Sequence, residues 1–108
     1  MPTYTAPAKD ISFVLHEVLD VGGSDVPGYS DLDPSFTAAI IEEAGKLARD
    51  VLAPLNASGD QEGCRIENGV VRTPKGFPEA YKQFCEGGWA GLGAKPAYGG
   101  QGAPHSLG

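Results

Sequence analysis

Asp33-Pro-Ser-Phe-Thr-Ala-Ala-Ile-Ile-Glu-Glu-Ala-Gly-Lys-Leu-Ala-Arg-Asp-Val-Leu-Ala-Pro-Leu-Asn56 is the stretch that decides the fold class. Asp33 is placed to cap a helix and Pro34 fits its first turn, where a missing N–H costs nothing. Phe36, Ile40, Ala44, Leu47, Val51 and Leu55 recur at steps of three or four, while Glu42, Glu43, Lys46, Arg49 and Asp50 take the other faces. The pattern predicts an amphipathic helix of about five turns. Pro54 is expected to kink it or to end it near Val51 or Leu52. Ile41, Ala48 and Leu52 widen the apolar arc, which implies more than one neighbour.

Upstream, Asp10 reads as the cap of a shorter helix through Ile11–Leu19, with Ile11, Val14, Leu15, Val18 and Leu19 as its apolar stripe. Gly22-Gly23 ends it, and a polar loop follows. Downstream, Cys64–Thr73 reads as a small hairpin around Asn68-Gly69, a pair suited to a two-residue type I′ turn. So short a hairpin must lean on the helices. A third helix is expected from Pro78 to about Glu86, with Phe77, Tyr81, Phe84 and Cys85 facing the core and Gly87-Gly88 ending it. The fold class is therefore mainly α: a small domain of about three helices, one short β-hairpin and a glycine-rich C-terminal loop, all within residues 1–108.

That loop, residues 89–108, sets Trp89, Leu92, Tyr98 and Leu107 among many glycines. Glycine lets a backbone run close to another surface, so the segment reads as one that meets more protein, and the 108 residues as the front portion of something larger. Self-association, or disorder after about Trp89, is the expectation for the chain alone.

Length allows one modest core. The net charge of −6 and the absence of a Lys/Arg cluster speak against nucleic acid and against an anionic membrane surface. No apolar run approaches a membrane span. The N-terminus has no apolar signal-peptide core, so the chain reads as cytoplasmic. Cys64 and Cys85 could pair, but in that compartment they read as two reduced thiols. No Cys/His spacing suggests zinc.

Few residues invite a chemical role. Gly91-Leu-Gly93-Ala-Lys-Pro96 starts like a dinucleotide fingerprint, but a proline stands where the third glycine belongs. His16 reads as a surface or partly buried imidazole and His105 as a solvated one. Glu42 and Glu43 are helix neighbours pointing about 100° apart, unlike paired catalytic carboxylates. Asp60, Glu62 and Glu67 lack calcium-loop spacing. Asn56-Ala57-Ser58 is a formal glycosylation acceptor without a secretory route. No serine or cysteine has a base at a recognisable spacing.

Several segments together resemble the N-terminal region of acyl-CoA dehydrogenases. They are Phe36–Asn56, Gly59-Asp-Gln-Glu-Gly-Cys64, Pro74-Lys-Gly-Phe77, Gly88-Trp-Ala-Gly-Leu92 and Pro96-Ala-Tyr-Gly-Gly-Gln-Gly102. Tyr4-Thr-Ala-Pro7 and Asp10–Leu19 look like the longer, methylthiopropanoyl-CoA dehydrogenase-like branch of that family.

The resemblance implies an N-terminal helical domain followed by a middle β-domain and a C-terminal helical bundle. FAD would lie between the two later domains and across a subunit interface, so none is expected on residues 1–108 alone. The catalytic carboxylate would come from the C-terminal bundle, so none of Glu42, Glu43, Glu79 or Glu86 is assigned that role and the fragment alone should be inactive. The implied partners are an acyl-CoA substrate, electron-transfer flavoprotein and further copies of the enzyme in a homo-oligomer.

The resemblance places the Tyr-Gly-Gly loop near the acyl cavity, which makes Tyr98, Gly99, Gly100, Gln101 and Gly102 substrate-pocket candidates. A loop that only packs domains together is the competing reading for each. Ala97 stands where many relatives carry an acidic residue, and Gln101 where many carry leucine. A polar Gln101 points to a shorter or partly polar acyl group. A free-standing helical interaction module without catalytic activity is the alternative to the enzyme reading.

Overall fold

The computed structural model describes residues 3–108. Its long helix begins as the capping pattern requires. Asp33 is extended (φ −80°, ψ 158°) and its Oδ1 accepts the Phe36 N–H at 2.9 Å and the Ser35 hydroxyl at 2.6 Å. From this cap α2 runs over Pro34–Leu47, passes through a π-helical turn at Ala48–Leu52, and continues as α3 over Ala53–Glu62.

Pro54 does not end the helix. Its ring would strike the Asp50 carbonyl of a regular α-helix, and it has no N–H to donate. Widening the turn relieves that clash, with the Ala53 N–H reaching back five residues to the Ala48 carbonyl. Gly63 (φ 68°) finally turns the chain away.

The N-terminal helix α1 spans Ala8–Phe13 and extends through a second π-helical turn, Val14–Val18. It starts a little earlier than expected. Pro7 precedes it and Asp10 lies inside the first turn rather than at the cap. There a carboxylate still favours the positive end of the helix dipole.

Leu15, Val21, Leu32 and Ile41 form the buried cluster, with Ala8, Tyr29 and Leu107 packed against it. One polar side chain is fully enclosed beside it. Thr37 has no exposed surface, and its hydroxyl lies 3.2–3.3 Å from the carbonyls of Asp33 and Pro34 and 2.7 Å from His16 Nε2. A hydroxyl has one proton. With that proton given to a helix carbonyl, Oγ1 accepts from the imidazole N–H. His16, half-buried, thus ties α1 to the start of α2, which is a structural role.

Strands β1 (Arg65–Glu67) and β2 (Val70–Arg72) pair antiparallel, with Ile66 opposite Val71. Asn68 and Gly69 both have positive φ, as the I′ turn demands. The hairpin does not lean on the helices as expected. Every strand residue is exposed, Ile66 at 76%. Arg65 and Arg72 face each other across it, and Glu67 sits between them at 2.6 and 3.8 Å.

Helix α4 spans Phe77–Glu86. Of the residues expected to face a core, Phe77, Tyr81 and Cys85 are exposed and Phe84 is only partly buried, while Ala80 is the buried residue of the helix. The reason is the shape of the molecule, 54 × 37 × 17 Å with a radius of gyration of 17.1 Å. A closely packed chain of this length would have about 13 Å. The helices lie side by side in a slab too thin to enclose a second apolar face.

Two outcomes follow. Asp33→Ala should lower the melting temperature at neutral pH, while Asp33→Asn retains most of it. The Ser35 hydroxyl, then the Phe36 N–H, hold the Asp33 carboxyl below its usual range. Its contribution is therefore complete above about pH 4 and disappears as pH falls through the lower folded value, so the Ala variant and the unsubstituted chain should converge in strong acid. Leu32→Ala, at a side chain only 1% exposed, should cost about 2–5 kcal/mol in urea unfolding.

Candidate functional site

The segment after α4 is closed on itself by backbone hydrogen bonds. Gln101 N–H donates to the Gly91 carbonyl at 3.0 Å, Gly102 N–H to Ala94 at 2.9 Å, and Ala103 N–H to Leu92 at 2.9 Å. Residues 91–94 and 100–103 thus hold the ends of a compact loop whose tip is the turn Pro96–Tyr98. The expected disorder after Trp89 is not what the structure gives. The loop carries its own backbone order, and Leu107 beyond it reaches the buried cluster.

Gly100 is the tightest position. A Cβ there would run into the Ala94 carbonyl, whereas one on Gly91 would meet only ordinary contacts at 3.7 Å or more. The sequence motif is therefore, first, a folding requirement: the two arms can approach only if Gly100 lacks a side chain.

The five pocket candidates are not in one environment. Tyr98 is 86% exposed. Gly99 (φ 85°) follows it as the cap of the turn, and Gly102 (φ 67°) reverses the chain beyond Gln101. Gln101 alone among the five lines a cleft, of about 430 Å³, between the loop and the first half of α2. Phe36, Ala39, Ile40, Glu43, Gly87, Trp89 and Leu92 complete its walls. The Gln101 amide N lies 3.5 Å from the Gly88 carbonyl, which holds the side chain across one end of the cleft.

Phe36 and Ile40 belong to the apolar stripe that reads as core in the sequence. In the structure Phe36 is half-exposed and Ile40 partly covered, so both remain available to the cleft. Nothing in the spacing alone distinguishes an apolar residue that faces a core from one that faces a cleft. Glu43, the one carboxylate in the lining, is held by Lys46 at 2.8 Å. The arrangement can accept an apolar chain with one amide to hydrogen-bond it. It contains no nucleophile–base pair. Among the described residues no group of His, Cys, Asp and Glu could hold a metal ion, and no helix is long and apolar enough to cross a membrane.

No family model matches the chain. It is 36% identical over 107 residues to a 3-methylmercaptopropionyl-CoA dehydrogenase of Ruegeria pomeroyi, across 98% of this chain and 18% of that protein. It is 35% identical over 100 residues to a butyryl-CoA dehydrogenase of Syntrophomonas wolfei, across 83% of this chain and 15% of that protein. The chain thus spans less than a fifth of the length of the curated relatives it matches.

Gly100→Ala should open the loop, seen as faster amide exchange at Gln101, Gly102 and Ala103. Gly91→Ala should leave that exchange close to the unsubstituted rate.

Proposed function

We propose that this chain, which belongs to the acyl-CoA dehydrogenase family as an N-terminal domain, forms one wall of the acyl pocket in a complete enzyme that oxidises an acyl-CoA thioester between its α and β carbons. The observation that carries the reading is the match, over 98% and 83% of the chain, to two dehydrogenases, each named for its acyl-CoA substrate. The cleft between Phe36, Ile40, Trp89 and Leu92 supports it, since an acyl tail needs a mostly apolar wall. In this reading residues 89–108 lead toward a middle domain. Tyr98 to Gly102 form the rim of the pocket, with Gly100 allowing the wall to be thin and Gln101 closing one end.

FAD is the cofactor this family membership suggests for the complete enzyme, and electron-transfer flavoprotein and a homo-oligomer are the partners we infer with it. The fingerprint-like turn at residues 91–94 does not fit a flavin diphosphate by itself. The amides of Gly91, Leu92 and Ala94, which a phosphate would need, are spent on the Gly88, Trp89 and Gly91 carbonyls. No chemical step is therefore assigned to this chain; its residues bind, shape and exclude water.

The exposed Leu52, just before α3, and Phe77 and Tyr81 on α4 favour a second reading, a helical interaction module without catalysis. The two are separated in the complete enzyme, since both leave the 108 residues alone inactive. The 108 residues alone should neither bind FAD in an absorbance titration nor reduce a dye with butyryl-CoA. In the complete enzyme, Gln101→Leu should move kcat/KM toward longer acyl chains by about tenfold. An unchanged chain-length profile would remove Gln101 from the pocket, and tight flavin binding by the 108 residues would overturn the division of labour.

A further inference from the structure

Asn68-Gly69 is the one place in the chain where an asparagine or aspartate precedes a glycine. The other asparagine, Asn56, precedes Ala57, and each aspartate precedes a bulkier residue. The pair matters chemically as well as conformationally. A side-chain amide and the backbone nitrogen that follows it can close a five-membered ring, and a glycine nitrogen has no Cβ beside it to hinder the approach. Both residues stand open at the tip of the hairpin. Among the described residues, nothing would meet a Cβ on Gly69 within 4 Å. The Gly69 N–H sits inside the turn, between the paired Glu67 and Val70.

We propose that Asn68 is a site of spontaneous intramolecular modification, at which the side chain loses ammonia through a succinimide formed with Gly69 and re-forms as isoaspartate or aspartate.

The reaction balances with water as its only co-reactant. The Gly69 nitrogen attacks Cγ of Asn68, the new C–N bond forms, and the Cγ–Nδ2 bond breaks. The proton lost by Gly69 leaves with Nδ2 as ammonia. Water then opens the ring at either carbonyl. Cleavage at the side-chain carbonyl leaves aspartate in an ordinary backbone. Cleavage at the main-chain carbonyl leaves isoaspartate, with the chain running through Cβ and Cγ. Nothing is oxidised or reduced.

The closed turn holds Asn68 at φ 51° and Gly69 at φ 78°, and ring closure requires Asn68 to rotate out of that geometry. The rate therefore depends on how readily the hairpin opens. Its ladder is three residue pairs long, and every strand residue is exposed. A two-stranded hairpin without backing is marginal, and such segments open at the low end of a protein's free-energy scale. Asn56 is the internal contrast, since it and Ala57 lie within α3. The two products also differ in consequence. Aspartate-glycine still suits a type I′ turn. Isoaspartate adds an atom to the backbone, so a two-residue turn no longer sets Glu67 opposite Val70, and the Ile66–Val71 pair comes apart. The inference does not depend on the acyl-CoA reading, because every reacting atom belongs to two adjacent residues or to water.

Incubation of the 108-residue chain in mildly alkaline buffer, followed by trypsin digestion and mass spectrometry, provides the test. Cleavage at arginine isolates Ile66–Arg72, and separately Asp50–Arg65 with Asn56. The first peptide should gain the mass difference between NH₂ and OH and separate into two isomers. One isomer should accept a methyl group from S-adenosylmethionine with an isoaspartyl methyltransferase. The second peptide should stay unchanged over the same interval. The folded chain should react within roughly tenfold of the same chain in guanidinium chloride. Gly69→Ala should slow the reaction roughly tenfold, by placing a Cβ beside the attacking nitrogen. It also strains the turn, and a looser hairpin would speed the reaction, so slowing isolates the part played by the nitrogen. In the isoaspartate product, amide exchange at Val70 should reach the open-chain rate. An unaltered Ile66–Arg72 peptide, equal modification of Asn56, or a rate indifferent to Gly69→Ala would each overturn the proposal. Protection of the folded chain by roughly a hundredfold or more would equally sink it.

Discussion

Two oxygen atoms at the start of α2 organise the part of the molecule that is packed. The Asp33 carboxylate takes up the free Phe36 amide of the helix's first turn, and four residues later the Thr37 hydroxyl, fully enclosed, receives the His16 imidazole from α1. A buried hydroxyl without partners would be costly, so burial of Thr37 is tolerable only with its carbonyl and imidazole contacts in place. Those contacts bring α1 and α2 to a fixed separation. Leu15, Leu32 and Ile41 fill the space that results, and the loop between the helices is drawn in through Val21 and Tyr29. Away from this junction the structure is held by helix continuity and local backbone bonds rather than by a core.

Two local signals, one helix cap and one turn, were the readable part of the sequence. Asp33-Pro34 and Asn68-Gly69 act through local backbone chemistry that does not depend on what lies nearby, and both are found where the residues place them. Pro54 was readable as a disturbance but not as its outcome, because stopping, kinking and widening all relieve the same clash. The direction of the apolar stripes was not readable. Periodicity locates a face but not the object it meets, so Tyr81, Cys85 and the hairpin strands, expected against a core, lie open. Thr37 gave no signal at all, since an isolated threonine in a helix looks like a surface residue until a histidine 21 positions earlier arrives beside it.

The candidate site was legible only in outline. Its glycines announced a loop in close contact with something, and the nearest such contact is the loop's own other arm. The cleft beside it depends on Phe36 and Ile40 of α2 and on Trp89 from the segment after α4, which meet only because the loop folds back across α2. Family resemblance named the Tyr-Gly-Gly segment; the geometry adds the helix face opposite it.

The π-helical turn at Ala48–Leu52 has an effect on rotational phase. One extra residue in a turn shifts every later side chain by about 100° around the helix axis. In an unbroken α-helix, Ile41 and Gly59 would fall on the same side, eighteen residues and five full turns apart. With the widened turn between them, Ile41 looks toward α1, and the Gly59 region, where the Phe77 ring packs, looks elsewhere. A single apolar stripe is thereby divided between two neighbours that would otherwise have to queue along one edge. Pro54 works here as a gear, turning one half of the long helix relative to the other and setting the plane in which α4 is carried.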